Sequence, residues 1–109
     1  MAFDIALAER VRAYLDGVAN IEERQMFGGL AFLLEGNMAV GVIGDELMVR
    51  VGKASHDELV AQPWSRIMDF TGREMKGWLV IGGPGIDDDG DLAAWVERGI
   101  DFAATLPAK

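Results

Sequence analysis

The side chains that could perform acid–base or nucleophilic chemistry are few. The only histidine, His56, stands between Ser55 and Asp57, and the chain has no cysteine. Successive residues on a helix point about 100° apart, so a contiguous Ser-His-Asp run cannot form the hydrogen-bonded relay of a serine hydrolase. Glu58 completes a capping box with Ser55, which predicts that Ser55 caps a short helix. We therefore expect a structural segment here, and the sequence predicts no catalytic residue and no enzyme.

A run of carboxylates at 87–91 could in principle hold a cation. A calcium loop of the EF-hand type, aligned on Gly90, would need an acidic residue at position 85 and a glutamate at position 96. The chain has Gly85 and Val96 there. Carboxylates just before a helix interact favourably with its positive end. We expect this run to cap a terminal helix, with a weak cation site as the alternative, and no cofactor.

Glycine-rich segments can cradle phosphates, and two occur here. In 82–85 a proline removes one backbone donor, and the aspartates that follow would repel an anion. The pair Gly28-Gly29 follows Arg24 and Phe27 and precedes an apolar run, which is typical of a bulge or a close backbone approach. Contact of these four residues with a ligand or partner is the alternative.

The charge balance excludes some partners. Eighteen acidic and ten basic residues give a net charge of −8, with no basic cluster, so direct nucleic-acid binding is not expected. The first nine residues have no basic stretch of the kind that opens a signal peptide. No apolar stretch approaches the roughly 20 residues that cross a bilayer. The sequence thus predicts a cytoplasmic protein without membrane contact.

The hydrophobic pattern predicts one α+β domain over 1–109. It contains an antiparallel sheet, built as a three-stranded meander plus a further hairpin, packed with N-terminal, short central and C-terminal helices. The predicted elements are a helix at 2–17, a polar connection at 19–25, the meander at 29–51, a short helix from 55 to 62, strands at 67–70 and 76–81, and a helix at 91–106.

The turns of the meander fix its predicted register. Two-residue loops at 36–37 and 44–45 place Leu33 opposite Val40 and Val42 opposite Leu47 on one apolar face. The other face should then be apolar as well, although a solvated face is normally polar. We expect a helix or a second subunit to cover it, most simply in a two-fold homodimer. Its residues would be Leu30, Phe32, Leu34, Gly41, Ile43 and Met48.

Four basic residues in these segments define a second hypothesis. Arg24, Arg50, Arg73 and Lys76 lie at predicted strand ends or hairpin tips. They could gather as a site for a small anionic ligand. They could equally be separate solvated charges that each pair with a surface carboxylate.

Four segments carry a resemblance to a known family. They are RQMFGGLAFLLEGNM at 24–38, GDELMVRV at 44–51, MDFTGREMKGW at 68–78 and LAAW at 92–95. Together they resemble the TfoX/Sxy N-terminal domain family over nearly the whole chain, as a free-standing N-terminal domain without the C-terminal domain of the full-length regulators.

The resemblance implies an α+β domain with an antiparallel sheet and a link to the regulation of competence genes. The founding regulators are transcriptional co-activators thought to act with the cyclic-AMP receptor protein, and no catalytic residues are implied. The leading hypothesis is a non-enzymatic regulatory module that acts through protein contacts, including a protein partner in transcription regulation. A small anionic-ligand sensor is the alternative.

Overall fold

A six-stranded antiparallel sheet and three helices form the α+β fold of the residues that the computed structural model describes, which are 3–26, 28–70 and 72–109. The elements are α1 (Ile5–Leu15), β1 (Ile21–Met26), β2 (Gly29–Leu34), β3 (Asn37–Ile43), β4 (Glu46–Arg50), α2 (Lys53–Val60), β5 (Ser65–Phe70), β6 (Arg73–Ile81) and α3 (Asp89–Ala104), with a 3-10 turn at Gly83–Gly85.

The strand order is β1-β2-β3-β4-β6-β5, so a meander is extended by a hairpin. This architecture confirms the predicted meander plus hairpin, with one strand more than expected. The segment predicted as a polar connection forms β1, which pairs only with β2 at the edge of the sheet. Its central residues, Glu22 to Gln25, are exposed, so an edge strand of this kind lacks the apolar alternation that marks a half-buried strand.

The helices lie on one face of the sheet. Their buried residues share one hydrophobic cluster with alternate strand residues, among them Phe32, Val40, Leu47 and Leu79. Helix α3 approaches β3 so closely that a Cβ on Gly99 would lie 2.5 Å from the carbonyl oxygen of Ala39. The main hydrophobic core lies between the helices and this face of the sheet, which we call the helix-covered face.

The register of β2 differs from the prediction. The first hairpin turns at Glu35 and Gly36, with φ of 50° and 84°, rather than at residues 36–37. Leu33 therefore pairs with Met38, and a bulge at Ala39 brings Phe32 opposite Val40. The earlier turn moves the pairing by two residues and changes no face, whereas the single extra residue of the bulge turns every β2 side chain to the other face. The second hairpin is confirmed, with Val42 opposite Leu47.

The first turn of α2 also differs from the prediction. The helix begins at Lys53, its N-cap is Gly52, and Ser55 caps nothing. Gly52 has a φ of +83°, which residues with a side chain rarely adopt. It also lies against the ring of Phe102, which leaves no space for a Cβ. His56 is 5% exposed, and its Nδ1 accepts a hydrogen bond of 2.9 Å from the backbone N–H of Gly77. The histidine thus joins α2 to a kink in β6.

Candidate functional site

The face of the sheet opposite the helices carries a separate hydrophobic cluster. A cross-strand row runs along it from Arg24 through Ala31, Gly41, Met48 and Val80 to Arg66. Met48, Met68 and Val80 are buried there, packed by the half-buried side chains of Met38, Met75 and Trp78. No residue of the three described helices belongs to this cluster. We call this surface the open face.

A cavity of about 430 Å³ lies on the open face. All five internal methionines of the chain line it. We call it the methionine cavity, and its lining residues are Arg24, Met26, Leu33, Gly36, Met38, Met48, Arg50, Met68, Met75, Trp78 and Lys109. Methionine side chains are unbranched and polarizable, so such a surface can repack around partners of different shape.

Gly41 lets the methionines reach the backbone of β3. A Cβ built on this glycine would lie 2.7 Å from Cε of Met48 and 3.2 Å from Cε of Met38. The two methyl groups therefore occupy the space that a side chain would fill. The flexible ends of two methionines thus cover the centre of the sheet, where a bulky strand residue would otherwise stand.

Two arginines flank the methionine cavity. The guanidinium of Arg50 lies between two rings, 5.2 Å from the centroid of Trp78 and 5.3 Å from that of Phe102. Stacking of this kind holds a cation against an apolar surface. Arg24 pairs with Glu22 of its own strand at 2.8 Å. The side chain of Arg24 is exposed and that of Arg50 is half-buried, so both charges are accessible to a molecule that enters the cavity.

The segment that follows α3 reaches the rim of the cavity. The side-chain amide of Asn37, a buried residue, donates to the carbonyl of Pro107 at 2.9 Å. The backbone N–H of Lys109 donates to the carbonyl of Glu35 at 2.9 Å. These two hydrogen bonds hold the segment beside the β2–β3 turn and place Lys109 among the lining residues.

The open face differs in charge from the rest of the chain. Its strand residues include four arginines and two glutamates, which are Arg24, Arg50, Arg66, Arg73, Glu22 and Glu46. Arg66 holds Glu46 through two hydrogen bonds of 2.7 Å, and these bonds lower the pKa of that glutamate below its usual value. A chain of net charge −8 thus presents an excess of positive charge on this one face.

The four basic residues predicted to form a group are only partly brought together. Arg24 and Arg50 line the methionine cavity. Arg73 lies on the same face, at the start of β6. Lys76 lies on the helix-covered face, where it approaches Asp57 of α2 at 3.8 Å. Whether any of them contacts a ligand remains a prediction.

The glycine segment proposed for ligand contact has a structural role. Gly28 has a φ of +74° in the β1–β2 connection, and Gly29 lies against the carbonyl oxygen of Val42 with no space for a side chain. This is the close backbone approach that the paired glycine predicts. Phe27 lies outside the described residues.

The predicted interface residues divide between the two faces. Gly41, Ile43 and Met48 lie on the open face, as expected. Leu30 and Phe32 lie in the main core, and Leu34 alternates with them, so the prediction is wrong for these three. The reason is the bulge at Ala39 described above, which reverses β2 relative to the rest of the sheet.

The acidic run caps α3, as predicted. The carboxylate of Asp88 accepts hydrogen bonds from the backbone N–H groups of Gly90 and Asp91, at 2.9 and 3.2 Å. Asp89 pairs with Arg10 of α1 at 3.0 Å. Within residues 3–26, 28–70 and 72–109, no group of three or more histidine, aspartate or glutamate side chains could hold a metal ion.

Sequence reasoning did not find the methionine cavity. Part of its signal was present, because Met48 alternates with the core residues Leu47 and Val49, whereas Met38 reaches the open face only through the bulge at Ala39. The other three methionines come from distant parts of the chain, with Met26 in edge strand β1 and Met68 and Met75 in the β5–β6 hairpin. Only the strand order brings them beside Met38 and Met48. In the part of the chain that the structure describes, no helix is long and apolar enough to cross a membrane.

The comparison with known families agrees with the fold. The family model of the TfoX N-terminal domain matches residues 13–103. The chain therefore belongs to the TfoX N-terminal domain family, as its sequence motifs indicated. No curated protein and no solved structure matches it.

Proposed function

We propose that the chain is a non-enzymatic protein-interaction module whose contact surface is the open face of the sheet. The observation that carries this proposal is the gathering of all five internal methionines in one cavity on the face opposite the helices. The three helices and the helix-covered face of the sheet already form the main hydrophobic core. A second, adaptable apolar surface beside stacked arginines has the composition of a binding surface.

The family, together with this surface, supports the proposal of a regulatory role. The chain belongs to the TfoX N-terminal domain family, and its net charge of −8 opposes binding to a phosphate backbone. A module of this kind would influence transcription by contacting other proteins rather than DNA. The two-fold homodimer expected from the sequence would also use the open face, and it is tested separately below.

A pair of matched variants tests the interaction module. Met38→Lys adds a charge to the half-buried rim of the methionine cavity, and Val18→Lys adds the same charge at an exposed apolar residue after α1. We expect wild type and Val18→Lys to retain the same proteins from an extract of the source cells, and Met38→Lys to lose them. Retention of the same set by Met38→Lys would contradict the proposal.

Sedimentation of the same three proteins at micromolar concentration tests the homodimer separately. A dimer mass for wild type and Val18→Lys, with a monomer mass for Met38→Lys, would support self-association through the open face. Monomers throughout would remove the homodimer and leave other partners as the occupants.

A small anionic-ligand sensor is the second candidate function. It is favoured by the position of Arg24, Arg50 and Lys109 around one cavity. Titration with inorganic phosphate and with a medium-chain carboxylate, followed by thermal unfolding, would test it. We expect Arg50→Gln to abolish any stabilisation that a true ligand of this site produces.

A further inference from the structure

The charge distribution indicates what kind of partner the open face takes. Its strand residues carry four arginines and two glutamates, whereas the whole chain carries eight more acidic than basic residues. Both glutamates are held by arginines of the same face, Glu22 by Arg24 at 2.8 Å and Glu46 by Arg66 at 2.7 Å. The face therefore presents positive charge around an apolar centre.

The position of the cavity indicates the conformation of the partner. The methionine cavity lies on the side chains of the sheet face, from Met26 of β1 across Met48 of β4 to Met68 of β5, so its occupant contacts these side chains rather than the backbone of a sheet edge. A partner strand would instead pair with an unpaired edge such as β1 or β5. An amphipathic helix, which presents apolar side chains three and four residues apart, fits a groove lined by adaptable methionines.

Resting on the proposed function, we propose that the open face binds an amphipathic helix of a partner protein that carries carboxylates beside its apolar stripe. Apolar side chains of that helix fill the methionine cavity, and its carboxylates lie beside Arg50 and Arg24. The guanidinium of Arg50, over the rings of Trp78 and Phe102, has five N–H donors in a fork that matches the geometry of such a carboxylate.

A second copy of this chain fits the open face less well. In a two-fold contact the same patch meets itself, so the arginine excess of one copy would face that of the other. A contact between the open face and the acidic remainder of another copy would be heterologous and would require further copies in a ring or an open chain. The acidic helix of a different protein avoids both problems.

Two matched peptides test the partner chemistry. Both are amphipathic, about 16 residues long, and share leucines at helical spacing; the flanking positions carry glutamate in one peptide and lysine in the other. With fluorescein-labelled peptides and the full chain, we expect fluorescence anisotropy to show the acidic peptide binding about tenfold more tightly than the basic one. The difference should shrink as salt rises from low to physiological ionic strength.

Matched variants locate the binding. Arg50→Gln removes the stacked cation of the open face, and Arg98→Gln removes a similarly stacked cation, 4.5 Å from the ring centroid of Trp95, on the helix-covered face. We expect Arg50→Gln to weaken binding of the acidic peptide about fivefold and Arg98→Gln to leave it unchanged. Circular dichroism of both variants would confirm that they fold.

Three results would overturn the proposed partner chemistry. Each can be distinguished from a result that would contradict the interaction module itself. Equal or tighter binding of the basic peptide would show that charge complementarity does not select the occupant. Binding of the acidic peptide that survives both Met38→Lys and Arg50→Gln would place it elsewhere. If neither peptide binds and Met38→Lys still loses cellular partners or dimer mass, the module stands and the acidic helix is excluded.

Discussion

The two faces of the sheet are both apolar, but different kinds of residue cover them. On the helix-covered face, Phe32, Val40 and Leu47 are almost completely buried beneath helices. On the open face, methionines, one tryptophan and the stems of arginines cover a smaller cluster. β-Branched and aromatic residues under a helix specify a single packing, whereas methionines allow several. We therefore attribute stability to the first face and propose contact with a partner for the second.

The largest expected effect separates the faces by stability. Phe32→Ala removes a ring that is 1% exposed in the main core and should lower the free energy of unfolding by about 3–5 kcal/mol. Met38→Ala, on the open face, should lower it by about 1 kcal/mol or less because its side chain is only half-buried. Urea denaturation of both variants measures the two values, and equal losses would contradict the division.

Two glycine substitutions compare the same two faces, with smaller expected losses in the free energy of unfolding. Gly99→Ala places a methyl group against the carbonyl oxygen of Ala39, so α3 must move away from β3, and the loss should be about 1–3 kcal/mol. Gly41→Ala meets the movable methyl ends of Met48 and Met38 and, at 3.1 Å, the carbonyl oxygen of Leu30, and we expect a smaller loss of about 1 kcal/mol. Thermal unfolding of the two variants checks the order; a costlier Gly41→Ala would indicate a rigid open face.

The hydrogen bond between His56 and Gly77 joins α2 to β6 on the helix-covered face, and it can be tested separately. His56→Phe keeps a ring in the buried position but removes the acceptor for the backbone N–H of Gly77. A buried donor left without a partner costs about 1–3 kcal/mol, so stability should fall by that amount. Amide hydrogen exchange at Gly77 should also accelerate. An unchanged exchange rate would show that the hydrogen bond does not hold α2 to β6.

The smallest expected effect is a pH dependence on the open face. Arg66 lowers the pKa of Glu46, so the folded chain keeps this carboxylate charged where the unfolded chain binds a proton. The stabilisation is present above the ordinary glutamate pKa of about 4.3 and is lost as pH falls through the lower folded value. Because Arg66 is largely exposed, it amounts to less than about 1 kcal/mol.

Glu46→Gln tests this dependence. Between roughly pH 5 and 3, the stability of the variant should fall less steeply than that of wild type, measured by urea unfolding at a series of pH values. Glu23→Gln, which removes the carboxylate whose pKa is lowered by Arg12 on the helix-covered face, should flatten the slope in the same way. Identical slopes for wild type and Glu46→Gln would show that the pair has no energetic role.

Much of the fold could be predicted from the sequence, because hydrophobic period and turn residues are local signals. The meander, the β5–β6 hairpin and α3 follow from them. The register of β2 could not, since Glu35-Gly36 and Gly36-Asn37 are both acceptable two-residue turns and no turn residue marks the bulge at Ala39, whose carbonyl lies against Gly99 of α3. Ser55 was similarly misassigned, because a glycine held against Phe102 starts α2 earlier than the capping pattern indicates.

The candidate site was less predictable than the fold. An apolar second face around Gly41 and Met48 follows from the β3 and β4 pattern alone. The methionine cavity also needs Met26 from an edge strand and Met75 from a hairpin placed beside β4, and no local signal gives that order. The charge of the face depends on the same arrangement, since its arginines come from four different strands.

The central claim is that the open face, and the methionine cavity in particular, is where a partner binds. The most direct measurement is methyl NMR of the chain labelled with ¹³C at the methionine methyl groups, titrated with the acidic amphipathic peptide. We predict that the signals of Met38, Met75 and Met26, which are only half-buried at the cavity, shift progressively and saturate. Signals that stay unchanged while the peptide binds would contradict the claim.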